Sequence, residues 1–171
     1  LDLELVGHIG DPPEKLELGI WSDADFAGCK VTMRSTSGCF VALVGPNTFF
    51  PLSAFSRKQT CVSHSTTEAE LVAADAALRL EALPAIWLWE HVLKRRVVCN
   101  FYEDNQAAIT MLRTAKYPTM RHMGRTHRIS LRALCDNFER DPDWLKLCYC
   151  DTADMAADIF TKFFIEAVKW A

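Results

Sequence analysis

No apolar run in the sequence is long enough to cross a membrane: the longest, Ala82 to Trp89, falls far short of the ~20 residues a spanning helix needs. The seven cysteines contain no C-x-x-C pair, and their odd number argues against a disulfide framework and for reduced thiols inside a cell. No basic-then-apolar leader precedes a small-residue cleavage site, and no internal repeat or low-complexity tract is visible. The chain opens at Leu1 without a Met, which raises the expectation that it is excised from something longer. Glycine and proline are scarce at seven each, so collagenous and Pro/Gly-rich disordered classes are excluded. What is present is globular: half of the 171 residues are apolar and 24% are charged. A chain of this length buries roughly 70% of its unfolded surface in one core, so a single domain is expected.

A net charge of −3 argues at first against a nucleic-acid partner, which usually meets a basic surface. The average conceals a split. From Asn105 through Cys135 there is no Asp or Glu, whereas Arg113, Lys116, Arg121, Arg125, Arg128 and Arg132 supply +6 and leave −9 for the remainder. A basic stretch therefore sits beside an acidic body, and from charge alone a solvated face serves as well as a binding face.

Residues 3–9 read as a short strand or ordered lead-in, broken by Gly10-Asp11-Pro12-Pro13. Leu16 to Ala27 alternates, with Ile20, Ser22 and Ala24 on one face and Trp21, Asp23 and Asp25 on the other, as a strand ending in acids. Gly38 to Val44 and Phe49 to Phe55 are β-type runs around the turn Gly45-Pro46-Asn47-Thr48, which completes an antiparallel meander. Ser65-Thr66-Thr67-Glu68 is a capping-box signature opening an Ala-rich helix to about Leu83. Pro84 fits the first turn of a second helical piece ending near Leu93 or Lys94. Val97 to Tyr102 predicts a strand, Asp104-Asn105 a cap for a helix to Leu112, and Arg113 to Arg128 a basic loop. A helix over Ile129 to Phe138, a fifth strand over Trp144 to Tyr149 and an amphipathic helix from about Ala153 to Trp170 follow. This order implies an α/β fold: a five-stranded mixed sheet, three strands antiparallel and two added in parallel, flanked by helices. Trp21, Trp87 and Trp144 are assigned to the core.

Four acids stand where this layout makes them conspicuous: Asp23 near a strand end, Glu70 inside the capped helix, Asp104 just past a strand, and Asp158 in the last helix. Singly, Asp23 and Asp104 read as caps or turn residues. Glu70 does not, because Ala73, Ala74 and Ala77 follow on its face and let the helix press against the sheet, where an acid needs a partner.

The motifs Trp21-Ser22-Asp23-Ala24-Asp25-Phe26-Ala27-Gly28, Arg34-Ser35-Thr36-Ser37-Gly38, Ser65-Thr66-Thr67-Glu68-Ala69-Glu70-Leu71, Glu103-Asp104-Asn105-Gln106-Ala107-Ala108 and Ala157-Asp158-Ile159-Phe160-Thr161-Lys162 occur in one order. In order and spacing the chain resembles the ribonuclease H domain of copia-type LTR retrotransposon polyproteins, from about residue 16 to 163. The resemblance implies a lead-in over residues 1–15 and the domain proper over 16–171. It implies a reverse-transcriptase-associated enzyme that cleaves the RNA strand of RNA/DNA hybrids and leaves 5′-phosphate and 3′-hydroxyl ends. Its partners would be the hybrid and the polymerase domain of the same polyprotein, and its setting would be intracellular, in a cytoplasmic virus-like particle if the element is active.

By the same resemblance Asp23, Glu70, Asp104 and Asp158 hold two Mg²⁺ ions, or Mn²⁺. Glu68 and Asp25 compete for two of these roles. Glu70 is preferred because it matches Ala-Glu-Leu-x-Ala and because Glu68 already has a capping task; Asp25 lies about 7 Å along the strand from Asp23. Hard oxygen ligands suit such cations, and two ions ~3.5–4 Å apart serve both oxygens of an in-line phosphodiester displacement. Ser65, Thr66, Asn105 and Gln106 are candidates for the hydroxyl-lined minor groove, with Ser63 beside them. Arg121, Arg125, Arg128 and Lys162 are candidates for phosphate, as are Arg57 and Lys58. No proton-shuttling His precedes Asp158. Arg125-Thr126-His127-Arg128-Ile129 departs from the usual Arg-Thr-Lys-His-Ile, and Cys148, Cys150 and the histidines lack zinc-site spacing. The alternative reading is a catalytically decayed or host-adopted copy that only binds nucleic acid or protein.

Overall fold

The computed structural model describes residues 7–162. The strands are β1 (His8–Ile9), β2 (Glu17–Asp25), β3 (Thr36–Gly45), β4 (Thr48–Lys58), β5 (Cys99–Glu103) and β6 (Leu145–Tyr149), and they form one sheet in the order β1-β4-β3-β2-β5-β6. β2, β3 and β4 pair antiparallel, while β5 joins β2 and β6 joins β5 in parallel. The expected mixed sheet is present with six strands rather than five. The addition is β1, which pairs antiparallel with the outer edge of β4. Two residues are too short to carry a period, so sequence alternation leaves such a strand undecided.

The helices are α1 (Thr66–Ala77), α2 (Leu83–Leu93), α3 (Gln106–Thr114), α4 (Met123–Thr126) and α5 (Leu131–Arg140), of which α1, α3 and α5 pack against the sheet. Ser65 caps α1, its hydroxyl accepting from the Glu68 amide at 3.1 Å. Between α1 and α2 the chain stays helical but widens into a π-type turn over Leu78–Ala82, where the Leu83 amide reaches back to the Leu78 carbonyl. Such a widened turn absorbs the missing donor of Pro84 at the start of α2, so the helix continues where a kink was otherwise due. The basic stretch expected as loop contains α4 and a 3₁₀ turn, Pro118–Met120.

The core lies between α1, α3, α5 and the sheet, and is filled by Leu18, Ile20, Val41, Leu43, Leu71, Leu78, Phe101 and Leu134. Ala69 and Ala73 pack on Ala24 of β2, so three small side chains bring α1 close to that strand. On Trp21's face, that ring stacks on Tyr102 at 4.9 Å and, with Tyr102, packs against Cys150, Met155 and Ala157. Trp87 departs from expectation: it is 73% exposed on α2, beside exposed Leu83, Leu88 and Val92. Trp144 is half-buried under the Arg96 guanidinium.

The long C-terminal helix is not what residues 152–160 form. They make two 3₁₀ turns, Thr152–Asp154 and Ala156–Phe160, with the Asp151 side chain capping the first. Residues 163–170 of that expected helix lie outside the described residues.

Candidate metal centre

β2 delivers Asp23, α1 delivers Glu70, and the turn after β5 delivers Asp104. One carboxylate oxygen from each lies within 4.8 Å of the other two. Asp23 and Glu70 are buried and Asp104 is half-buried. Asp104 Oδ2 accepts from the Thr152 hydroxyl at 2.8 Å. Glu70 Oε2 is buried with no hydrogen-bond partner among the described residues.

The fourth acid, Asp158 on the turn Ala156–Phe160, is not among the three carboxylates that converge and is linked to them through Lys162. Lys162 Nζ lies 2.5 Å from Asp158 Oδ1 and 3.7 Å from Asp23 Oδ1, and the Thr161 hydroxyl donates to Asp23 Oδ2. Gly38 makes this approach possible. It pairs with Asp23 across the β2–β3 ladder, and a Cβ there would come within 2.6 Å of Thr161 Cγ2 and 3.0 Å of the Ala157 carbonyl oxygen.

Burial pushes the Glu70 carboxyl far above its ordinary range, and the charges of Glu103, Asp23 and Asp104 push it further. Asp23 is raised by burial, against the opposing pull of Thr161 and Lys162. Burial works against the Lys162 charge, but Asp158 and Asp23 hold its ammonium above the usual range. Glu103 was missed by sequence reasoning. It is fully buried at the end of β5, its Oε1 accepts from the Asn105 amide at 3.2 Å, its Oε2 has no partner among the described residues, and burial drives its carboxyl well up. A strand residue next to Asp104 reads as apolar or polar by alternation alone, so the only signal was the adjacency of two acids. Gln59 was also missed: its amide donates to Ser37 and to the Ala69 carbonyl and its oxygen accepts from Ser63, tying the end of β4 to α1.

Comparison with solved structures identifies the fold. The fold superposes on LC11-RNase H1, isolated from compost by a metagenomic approach, with a TM-score of 0.51 and 14% identity over 85% of this chain and 92% of that one. The fold is that of a ribonuclease H. It also matches part of the prototype foamy virus protease-reverse transcriptase, with a TM-score of 0.50 and 13% identity over 88% of this chain; the match spans 21% of the foamy virus chain. No protein-family model matches.

Within this ribonuclease H fold the remaining candidate residues divide. Ser65 and Asn105 are occupied as caps, Asn105 accepting from the Ala108 amide at 3.0 Å. Thr66 and Gln106 are exposed beside them on the first residues of α1 and α3. Arg121, Arg125 and Arg128 are exposed around α4, and Arg57 and Lys58 are exposed at the end of β4. Lys162 is held by the acids, which changes its reading from phosphate contact to internal counter-charge. Glu68 turns away from Glu70, as its position two residues earlier on a helix requires, and is enclosed by histidines.

Proposed function

We propose that the chain is a metal-dependent endoribonuclease that hydrolyses the RNA strand of RNA/DNA hybrids, as a module of a retrotransposon reverse transcriptase. The observation that carries the reading is the convergence of Asp23, Glu70 and Asp104, with Asp158 joined to them through Lys162. A set of like charges is costly: two at 4 Å repel by ~1 kcal/mol in water and by ~4 kcal/mol at an effective dielectric of 20. A fold that buries such a set, and leaves Glu70 Oε2 without a donor, is matched to hard divalent cations, for which carboxylate oxygens are the preferred ligands.

Asp23, Glu70, Asp104 and Asp158 would hold Mg²⁺ or Mn²⁺. When bound, the pair would supply charge stabilisation at the attacking and departing oxygens and lower the pKa of water. The protein's own groups do the rest. Thr152 fixes the orientation of Asp104, and Thr161 fixes Asp23. Lys162 balances the charge of Asp158 and Asp23. Exposed Thr66 and Gln106 offer polar groups to the 2′-hydroxyls of a wide minor groove, and Arg121, Arg125 and Arg128 offer charge to phosphates.

The reading is tested with a labelled RNA/DNA hybrid in Mg²⁺ or Mn²⁺ beside double-stranded RNA and double-stranded DNA. Cleavage confined to the RNA of the hybrid supports it. Tight hybrid binding without cleavage would favour the decayed or adopted module instead.

A further inference from the structure

The start of α1 carries a second cluster of metal-ligating side chains that the hydrolytic reading does not use. Glu68 is 1% exposed, and three imidazoles surround its carboxylate. His64 Nδ1 lies 3.4 Å and His122 Nε2 lies 3.2 Å from Glu68 Oε2, and the three ligand atoms all lie within 4.8 Å of one another. His127, whose side chain is 1% exposed, brings Nε2 to 2.7 Å from the other oxygen, Oε1. The His64 amide also donates to Oε2 at 3.1 Å.

The two outer contacts are poor hydrogen bonds and good metal-site edges. His122 Nε2 is buried and forms no hydrogen bond among the described residues despite its 3.2 Å approach to Glu68. With zinc–nitrogen and zinc–oxygen bonds of about 2.0–2.2 Å, the ligand atoms of a tetrahedral site stand about 3.3 Å apart. The separations of 3.4 Å and 3.2 Å match that edge. The His127 contact has the length of a true hydrogen bond and engages Oε1, so that Oε2, oriented by the His64 amide, faces the two outer imidazoles, the arrangement by which neighbouring groups tune a liganding carboxylate.

We propose that His64 Nδ1, Glu68 Oε2 and His122 Nε2 form a zinc site, with His127 as the positioning residue behind Glu68 and the fourth position open on the exposed His64 side. Two imidazoles and one carboxylate are a borderline ligand set that favours Zn²⁺ over the hard cations suited to the all-carboxylate group. The site is distinct from that group because Glu68 and Glu70 leave α1 in different directions. Its effect is to fasten the basic segment bearing Arg121, Arg125 and Arg128 to the start of α1, joining residues separated in sequence by almost sixty positions.

The test uses the intact chain in millimolar Mg²⁺, which loads the carboxylate group. Co²⁺ is titrated as a visible-absorbing stand-in for Zn²⁺, followed by displacement with Zn²⁺ against a chromophoric chelator. The expected result is one equivalent bound with the absorption of a four-coordinate site, affinity reduced at least about tenfold in His64→Ala and in His122→Ala, and binding unchanged in Asp104→Asn. His64 is 74% exposed, so its substitution leaves the fold intact. Absence of stoichiometric binding, or wild-type affinity in both histidine variants, would overturn the proposal. Neither outcome bears on hydrolysis, which Asp104→Asn addresses separately.

Discussion

Lys162 Nζ stands 2.5 Å from Asp158 Oδ1, four positions earlier in the chain, and the same ammonium reaches Asp23 at 3.7 Å. A cation built into the chain therefore sits among acids that repel one another. Lys162→Met removes that charge and keeps most of the packing. The expected cost is about 0.5–1 kcal/mol in chelator, since the side chain is partly exposed. The gain in melting temperature on adding Mg²⁺ should be larger than in the wild type; an equal gain would show that Lys162 does not balance the acids.

Gly38 faces Asp23 and leaves room for the segment that carries Asp158 and Thr161. Gly38→Val places a branched side chain where even a Cβ meets Thr161 and the Ala157 carbonyl. Overpacking of this kind costs about 1–3 kcal/mol. Hydrolysis should fall more steeply than stability, because the displaced segment holds the fourth acid. Denaturant unfolding and hybrid cleavage measured together check this; retained cleavage would mean that Asp158 needs no such seat.

The acid group also fixes how the metal-free protein responds to pH. Glu70, Glu103 and Asp23 have carboxyls raised by burial, so above about pH 4 these three groups hold more protons in the folded chain than in the unfolded one. Stability is then full at low pH and is lost as pH rises, opposite to an ordinary paired carboxylate. Glu68 runs the other way: despite burial, the His64 amide, His127 and His122 hold it low, and its contribution is lost only as pH falls through the acid range. Melting temperature in chelator should therefore decline from pH 5 to pH 8, with a shallower decline in Glu103→Gln. A rise over that interval would contradict the burial of these carboxyls.

Asp104→Asn should leave the metal-free protein equally stable or more so. The amide oxygen still accepts from Thr152, while one charge leaves a repelling set. Chemical denaturation in chelator measures it, and a clear loss of stability would recast Asp104 as a structural cap.

The strands β2 to β6, the Ser65 cap and the sheet-facing alanines were legible because periodicity and capping are local. So were Asp23, Glu70 and Asp104 as candidates, since each belongs to a motif. Their convergence was implied by the resemblance and not by any local pattern, because it depends on the parallel placement of β5 beside β2 and on the close approach of α1 through Ala24, Ala69 and Ala73. The turn bearing Asp158 was read as helix because its apolar spacing is helix-like, whereas here the segment packs on Gly38 and Trp21 in 3₁₀ form. The Glu68 cluster was hidden for a plainer reason: capping chemistry accounted for Glu68, and its histidine partners come from another part of the chain. Trp87 was placed inside by its helical neighbours, yet α2 buries none of its side chains fully.

The most direct measurement is the rate of RNA-strand cleavage in one labelled hybrid by the wild type and Asp104→Asn side by side in saturating Mg²⁺. The expected result is cleavage by the wild type and a loss of at least about 10²- to 10³-fold in the variant, the scale on which removal of a charge-stabilising group acts. Equal cleavage by both proteins would contradict the assignment of the converging acids as the hydrolytic centre.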